Sequence, residues 1–189
     1  MTMPLLIRST PVLLVAFSLL ASCSSTSPAG TKVKQPFSGS AFESDNRFFR
    51  GTGQGVSAKQ NIARGKADLD AKNQLAGQVG TNMRAVTDQY LGQTENAGAA
   101  DVADKFQSLV REVMNTEIAD LRKTGEETYH NATTGDYTVY VAYEIKKNAM
   151  LRFMKKKARA DAKVDELTLK AMDDILDKEI EKADAADKD

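Results

Sequence analysis

Three glycines spaced by single residues, Gly51, Gly53 and Gly55 in FFRGTGQGVS (Phe48–Ser57), constrain this chain more than any other stretch. Successive side chains of a strand point to opposite faces. An extended segment therefore places all three glycines on one face, with Arg50, Thr52, Gln54 and Val56 on the other. A face without side chains lets a helix approach unusually closely. The sequence supplies that helix at once. Ser57 and Gln60 have the spacing of a capping box. Ile62, Leu69, Ala76, Met83 and Tyr90 then recur every seven residues, with Val79 and Val86 beside them, and Gly92 offers a stop. Gly77 and Gly80 inside the helix each cost about 1 kcal/mol relative to alanine. They lead us to expect a close approach to a sheet or another helix there.

A strand, a glycine-rich turn and a helix also open nucleotide-binding folds, so that chemistry is tested first. Counted from Gly51, the G-x-G-x-x-G fingerprint fails at Val56; counted from Gly53 it ends on the tolerated Ala58. No parallel strand follows to carry an acid to a ribose, and no Gly-Lys-Ser/Thr follows Gly55 as a phosphate loop needs. Other catalytic constellations are equally thin. His130 is the one histidine, with no cysteine to activate and no second histidine to share a metal. Glu126 and Glu127 are adjacent on an extended segment and point to opposite faces, so they do not act together on one substrate. The expectation is a non-enzymatic protein with no metal site.

Further along, Val102, Phe106, Leu109, Val110 and Val113 mark a second amphipathic helix. Thr116–His130 reads as mostly extended, ATTG as a turn, and YTVYVAYEIK as an alternating strand. Tyr137, Val139, Val141, Tyr143 and Ile145 share one face of that strand. From Asn148 a long charged helix carries a stripe of Met150, Phe153, Met154, Ala160, Val164, Leu167, Ala171, Ile175 and Ile180. The expected fold is α+β, a small three-stranded sheet packed by helices on one face in the order β-α-α-β-β-α.

The N-terminus has the pattern of an export signal. Arg8 precedes PVLLVAFSLLAS, an apolar run shorter than the roughly 20 residues a membrane span needs. It ends in Leu20-Ala21-Ser22-Cys23, the pattern of a bacterial lipobox. Cleavage between Ser22 and Cys23 would leave the sole cysteine to take a diacylglyceryl group and an N-acyl chain, two lipid signals that make a stable anchor. Ser24 in place of aspartate favours the outer membrane. Residues 24–46, rich in Ser, Thr, Gly and Pro, read as a tether with a random-coil reach of about 25–28 Å. The expected organisation is a signal peptide at 1–22, a lipidated tether at 23–46, an α+β domain at 47–146 and a charged helix at 147–189. Twenty-six basic against 26 acidic residues supply no field for nucleic acid.

The stretch FFRGTGQGVSAKQNIARGKADLDAKNQLAGQV resembles the domain of the twenty-kilodalton antigenic outer-membrane lipoproteins, the LPP-twenty-like family. The likeness rests on the strand with a G-x-G element and on the helix series Ala63, Arg64, Lys66, Ala67, Asp70, Ala71, Leu75 and Ala76. It covers about Phe48 to Ile145. It implies a small periplasmic or surface lipoprotein domain without known catalysis, and carries over no catalytic residues.

Beyond that resemblance lies a basic block including Lys147, Arg152, Lys155, Lys156 and Arg159, followed by an acidic end from Asp173 to Asp189. As one helix this order opposes the helix dipole. It raises the expectation of an intermolecular surface: an antiparallel pair of copies, basic start against acidic end, or an unknown envelope partner. The functional expectation is a lipid-anchored envelope protein with a structural or protein-interaction role. The alternatives are a periplasmic ligand-binding module, marked by a closed apolar pocket near Tyr140 and Arg50, and an activator of an envelope enzyme.

Overall fold

The computed structural model describes residues 30, 33–92, 97–116, 118 and 120–188. Cys23, Ser22 and the signal segment lie outside the described residues. All the elements belong to the unit Lys34–Asp189. They follow in the order β1 (Phe48–Ser57), α1 (Gln60–Leu91), α2 (Ala97–Met114), β2 (Arg122–His130), β3 (Tyr137–Lys146), α3 (Lys147–Ala160) and α4 (Glu166–Ala186). The sheet is antiparallel in the order β1-β3-β2. The class is α+β, with two helices where the sequence pointed to one at the C-terminus.

The bare face of β1 is where α1 lies. Gly51, Gly53 and Gly55 pair with Tyr143, Val141 and Val139 of β3, and Ala63, Ala67 and Ala71 of α1 bury against that surface with Val139 and Val141. A Cβ at Gly51 would sit 2.5 Å from the Ala71 carbonyl oxygen. One at Gly53 would strike the Ala67 carbonyl and the Ala71 amide, and one at Gly55 the Ala63 carbonyl. Only alanines fit on the helix side, and this corrects the heptad reading. The buried stripe is Ala63, Ala67, Ala71, Leu75, Val79, Met83 and Val86. Ile62 and Leu69, too large for the gap, stay 46% and 62% exposed. Past Leu75 the helix outruns the glycines and changes partner. Leu75, Val79, Met83 and Val86 join the main core with Phe49, Phe106, Val113, Ile145, Met154 and Leu176.

Three local expectations are also corrected. Ser57 is still paired with Tyr137 as the last residue of β1. It therefore sits too early to cap α1, whose N-cap is Lys59 without a side-chain cap. Ser57 Oγ instead accepts the Lys59 N–H at 3.3 Å. Gly77 and Gly80 meet no atom within 4 Å of an added Cβ, so they mark no close packing. The extended segment starts at Arg122 rather than Thr116, because Thr116 turns back on the Val113 carbonyl and Ile118 enters the core. The stop at Gly92 (φ +81°) and the turn at Asn131–Asp136, with Gly135 at φ +74°, form as the sequence indicates.

The tether expected through Asn46 is shorter than its composition implied. Phe37 packs on Gly125 of β2 and meets Phe42 edge-to-face, centroids 5.3 Å apart. Aromatic pairs of this kind bury large apolar area. This segment covers the middle of the sheet face opposite α1, where Ala142 is buried.

Two substitutions separate the glycines by role. Gly53→Ala forces backbone apart from backbone and is expected to cost at least about 3 kcal/mol. Gly77→Ala, with open space around it and a better helix former, should be neutral or stabilising by up to about 1 kcal/mol. Urea denaturation of both variants checks the contrast.

Candidate functional site

Much of the basic block is paired with acids of the same molecule, while Arg152, Lys156 and Arg159 stay exposed. Asp161–Asp165 turns the chain, with Asp165 capping α4 through the Thr168 N–H at 2.9 Å, and α4 runs back along α3. Arg152 reaches Asp184 at 2.6 Å, Arg159 reaches Asp173 at 2.9 Å, and Lys155 pairs with Asp177. Lys146 and Arg47 share Asp187 at 2.6 and 3.3 Å. Lys147 stacks over Phe49 at 5.0 Å, and Lys156 is exposed. The match of basic start to acidic end is thus made within one molecule, where no association entropy opposes it. The break also resolves part of the dipole conflict, since Lys157 and Arg159 now lie in the last turn of α3 and Glu166 in the first turn of α4. Asp184 also accepts from the Asn148 side-chain amide at 2.9 Å. Asp184→Lys should cost about 1 kcal/mol, partly recovered by adding Arg152→Glu. A double-mutant cycle in thermal denaturation at low and high salt checks this, with the coupling shrinking as salt rises.

A second charged cluster clamps the edge strand β2 to α1. Arg64 pairs with Glu126 at 2.7 Å, Lys123 with Asp68 at 2.8 Å and Glu126 at 2.9 Å, and Tyr143 donates to Asp68 at 2.9 Å. The Lys123 ammonium, helped by Arg64, holds the Glu126 carboxyl below its ordinary value. Burial and the Asp68 carboxylate push the Tyr143 phenol up. Glu127 lies on the other face and accepts from Tyr129, as the alternation requires. His130 stacks on Tyr137, centroids 4.6 Å apart. The acids and the histidine are thus dispersed. Among the described residues no three His, Cys, Asp or Glu side chains come together to hold a metal.

The cluster gives the fold an acid limit. A carboxylate whose folded pKa is lowered contributes stability that is fully present above its unfolded value. That stability is lost as pH falls through the folded value. Glu126 has an ordinary value of 4.5. Unfolding free energy should therefore decline on acidification below about pH 4.5, and Glu126→Gln should make the decline shallower. Urea midpoints taken from pH 6 downward read it out.

The feature that sequence reasoning missed runs along the outer edge of β1. Several of the outward main-chain groups there are taken: the Arg50 N–H by Ser44 Oγ at 2.8 Å, the Gln54 N–H by Asp70 at 3.0 Å, and the Val56 carbonyl by Lys66 at 3.0 Å. Beside this edge, α1 and residues 35–43 enclose a polar cleft of about 340 Å³, lined by Gln35, Phe37, Gln54, Gln74, Gln78 and Tyr140 among others. A wider depression of about 710 Å³ shares Gln74 and Gln78. It continues over Gly77, Thr81 and Asn82 to Ala85, with Phe49 and Lys147 on its flank. The two are open and meet at Gln78, whose side-chain oxygen accepts from Ser44. The cleft is mainly polar and carries Glu43 and Asp70, the wider part is mainly apolar, and neither is the closed apolar pocket that would mark a conventional ligand module. Its signal in the sequence is the four-residue spacing of Asp70, Gln74, Gln78 and Asn82 on the solvent side of α1.

No family model, curated protein or solved structure matches this chain.

Proposed function

We propose that this chain is a lipid-anchored bacterial cell-envelope protein that acts by binding, with no catalytic step. The observation that carries the reading is Leu20-Ala21-Ser22-Cys23 at the end of an apolar run, with a folded unit that begins at Lys34. Residues 24–33 lie in the sequence between that cysteine and the unit that begins at Lys34. The anchor would hold the domain close to the outer-membrane surface. The resemblance of β1 and α1 to the twenty-kilodalton antigenic lipoproteins supports the same placement. Among the described residues no helix is long and apolar enough to cross a membrane. On this reading the membrane attachment is covalent lipid.

Binding rather than catalysis is supported by where the polar groups lie. Each ion-paired side chain of the α3–α4 seam and of the β2 clamp is committed to a structural neighbour, while the groove along α1 presents amides and hydroxyls to solvent. A ligand-binding module is the second reading, favoured by that groove.

Growing cells with an alkyne-tagged palmitate analogue tests the anchor. The wild-type chain should take up label and partition with membranes. Cys23→Ala should remove the label and leave an uncleaved precursor. Labelling that persists in Cys23→Ala would sink the reading.

A further inference from the structure

We propose that the groove along the outer side of α1 binds a linear, β-linked, uncharged glycan strand. The inference rests on the groove's own residues and stands apart from the lipid anchor. Gln74, Gln78 and Asn82 follow one another at four-residue spacing on α1, so their stations rise about 6 Å apart along the helix. Gln54 of β1 lines the same cleft as Gln74 and Gln78. A primary amide offers two donors and an acceptor that takes two hydrogen bonds. A sugar hydroxyl likewise donates one and accepts two, so the amides of Gln54, Gln74 and Asn82 match hydroxyls in series, and the Glu43 and Asp70 carboxylates of the cleft lining are further acceptors for them. Gln78 adds its amide N–H groups, its oxygen being taken by Ser44. Tyr140 and Phe37 in the cleft add aromatic surface for the apolar faces of sugar rings. The lining follows one helix face from Asp70 to Ala85, a linear course that suits an extended β-linked chain better than a coiled one.

Other occupants fit less well. No lysine or arginine lines the cleft, and Lys147 lines only the wider part while stacked on Phe49. An anionic polymer would lack the charge partners that dominate such binding. An extended peptide adding to β1 would find the Arg50 and Gln54 N–H groups and the Val56 carbonyl occupied, which interrupts the ladder that strand addition needs.

Gly77 ties the groove to an otherwise unexplained cost. It lowers helix stability in the middle of a 32-residue helix, yet no intramolecular contact requires its missing side chain. It lies in the floor of the wider part. A side chain there would stand where a ligand chain must pass.

The test is calorimetric titration of the full chain, held in a detergent without a sugar headgroup, with hexa-N-acetylchitohexaose and with cellohexaose. At least one hexasaccharide should bind saturably. Gln74→Ala should weaken binding several-fold to tenfold, the loss of one or two hydrogen bonds. Gly77→Leu should weaken it at least tenfold while the melting temperature stays level or rises, so loss of binding is not loss of fold. Binding of neither hexasaccharide at millimolar concentration overturns the proposal. So does binding that Gly77→Leu leaves intact, or saturable binding of an uncharged extended nonapeptide in place of the saccharides. Palmitate labelling at Cys23 is unaffected by any of these results.

Discussion

The contact of a side-chain-free strand face with an alanine helix face is the constraint on which the rest of the structure depends. Gly51, Gly53 and Gly55 bring the backbone of β1 against the backbone of α1 at Ala63, Ala67 and Ala71. At that distance dispersion between main-chain atoms replaces side-chain interdigitation. The helix has little freedom to slide or roll, because every nearby position larger than alanine is excluded. Its register fixes Lys66 on the Val56 carbonyl and Asp70 on the Gln54 N–H. It also fixes Arg64 and Asp68 against β2, and leaves the amides of Gln74 and Gln78 facing outward. The small-residue and charge series of α1 is therefore a docking pattern: the small residues make the contact and the charges close its edges.

The C-terminal hairpin solves a different problem. A small sheet covered by one helix buries little apolar surface, and α3 and α4 enlarge the core through Met150, Leu151, Met154, Met172, Ile175 and Leu176. Individually exposed ion pairs contribute little to stability. A row of them along one seam does more to set how α4 lies on α3. Basic residues concentrated on one helix and acidic residues on the other draw the two together, and the short Asp161–Asp165 connection makes them antiparallel.

Most of the fold was legible because its signals are strictly periodic. The alternating glycines of β1, the alternating faces of β3 and the Val102–Val113 face of α2 each have one geometric solution. The errors arose where size or partner, not period, decided the outcome. Ile62 and Leu69 satisfy a heptad but not a gap sized for alanine. The stripe from Met150 to Ile180 hides a turn, because Asp161–Asp165 carries no glycine or proline. The cap at Asp165 with Thr168 was present as a weaker cue. Leu167, counted in the stripe, is 80% exposed. Phe37 and Phe42 sit in a Ser/Gly/Pro-rich segment whose composition masks two apolar anchors. The groove was least legible of all, since it is assembled from separate segments far apart in the sequence and its glutamines look like any solvated helix surface.

The placement of β3 has a consequence for the order in which this molecule can assemble. β1 and β2 each pair only with β3, and the β3 partner of Phe49 is Ile145. However early β1 and α1 meet, no sheet exists until the chain has been made through Lys146. Such long-range closure slows folding relative to local helix pairing. Until then β1 presents an open hydrogen-bonding edge along its whole inner side. A chain interrupted before Tyr137 would thus hold two helices and two unpaired strands, with the surfaces that should meet β3 left free for another molecule.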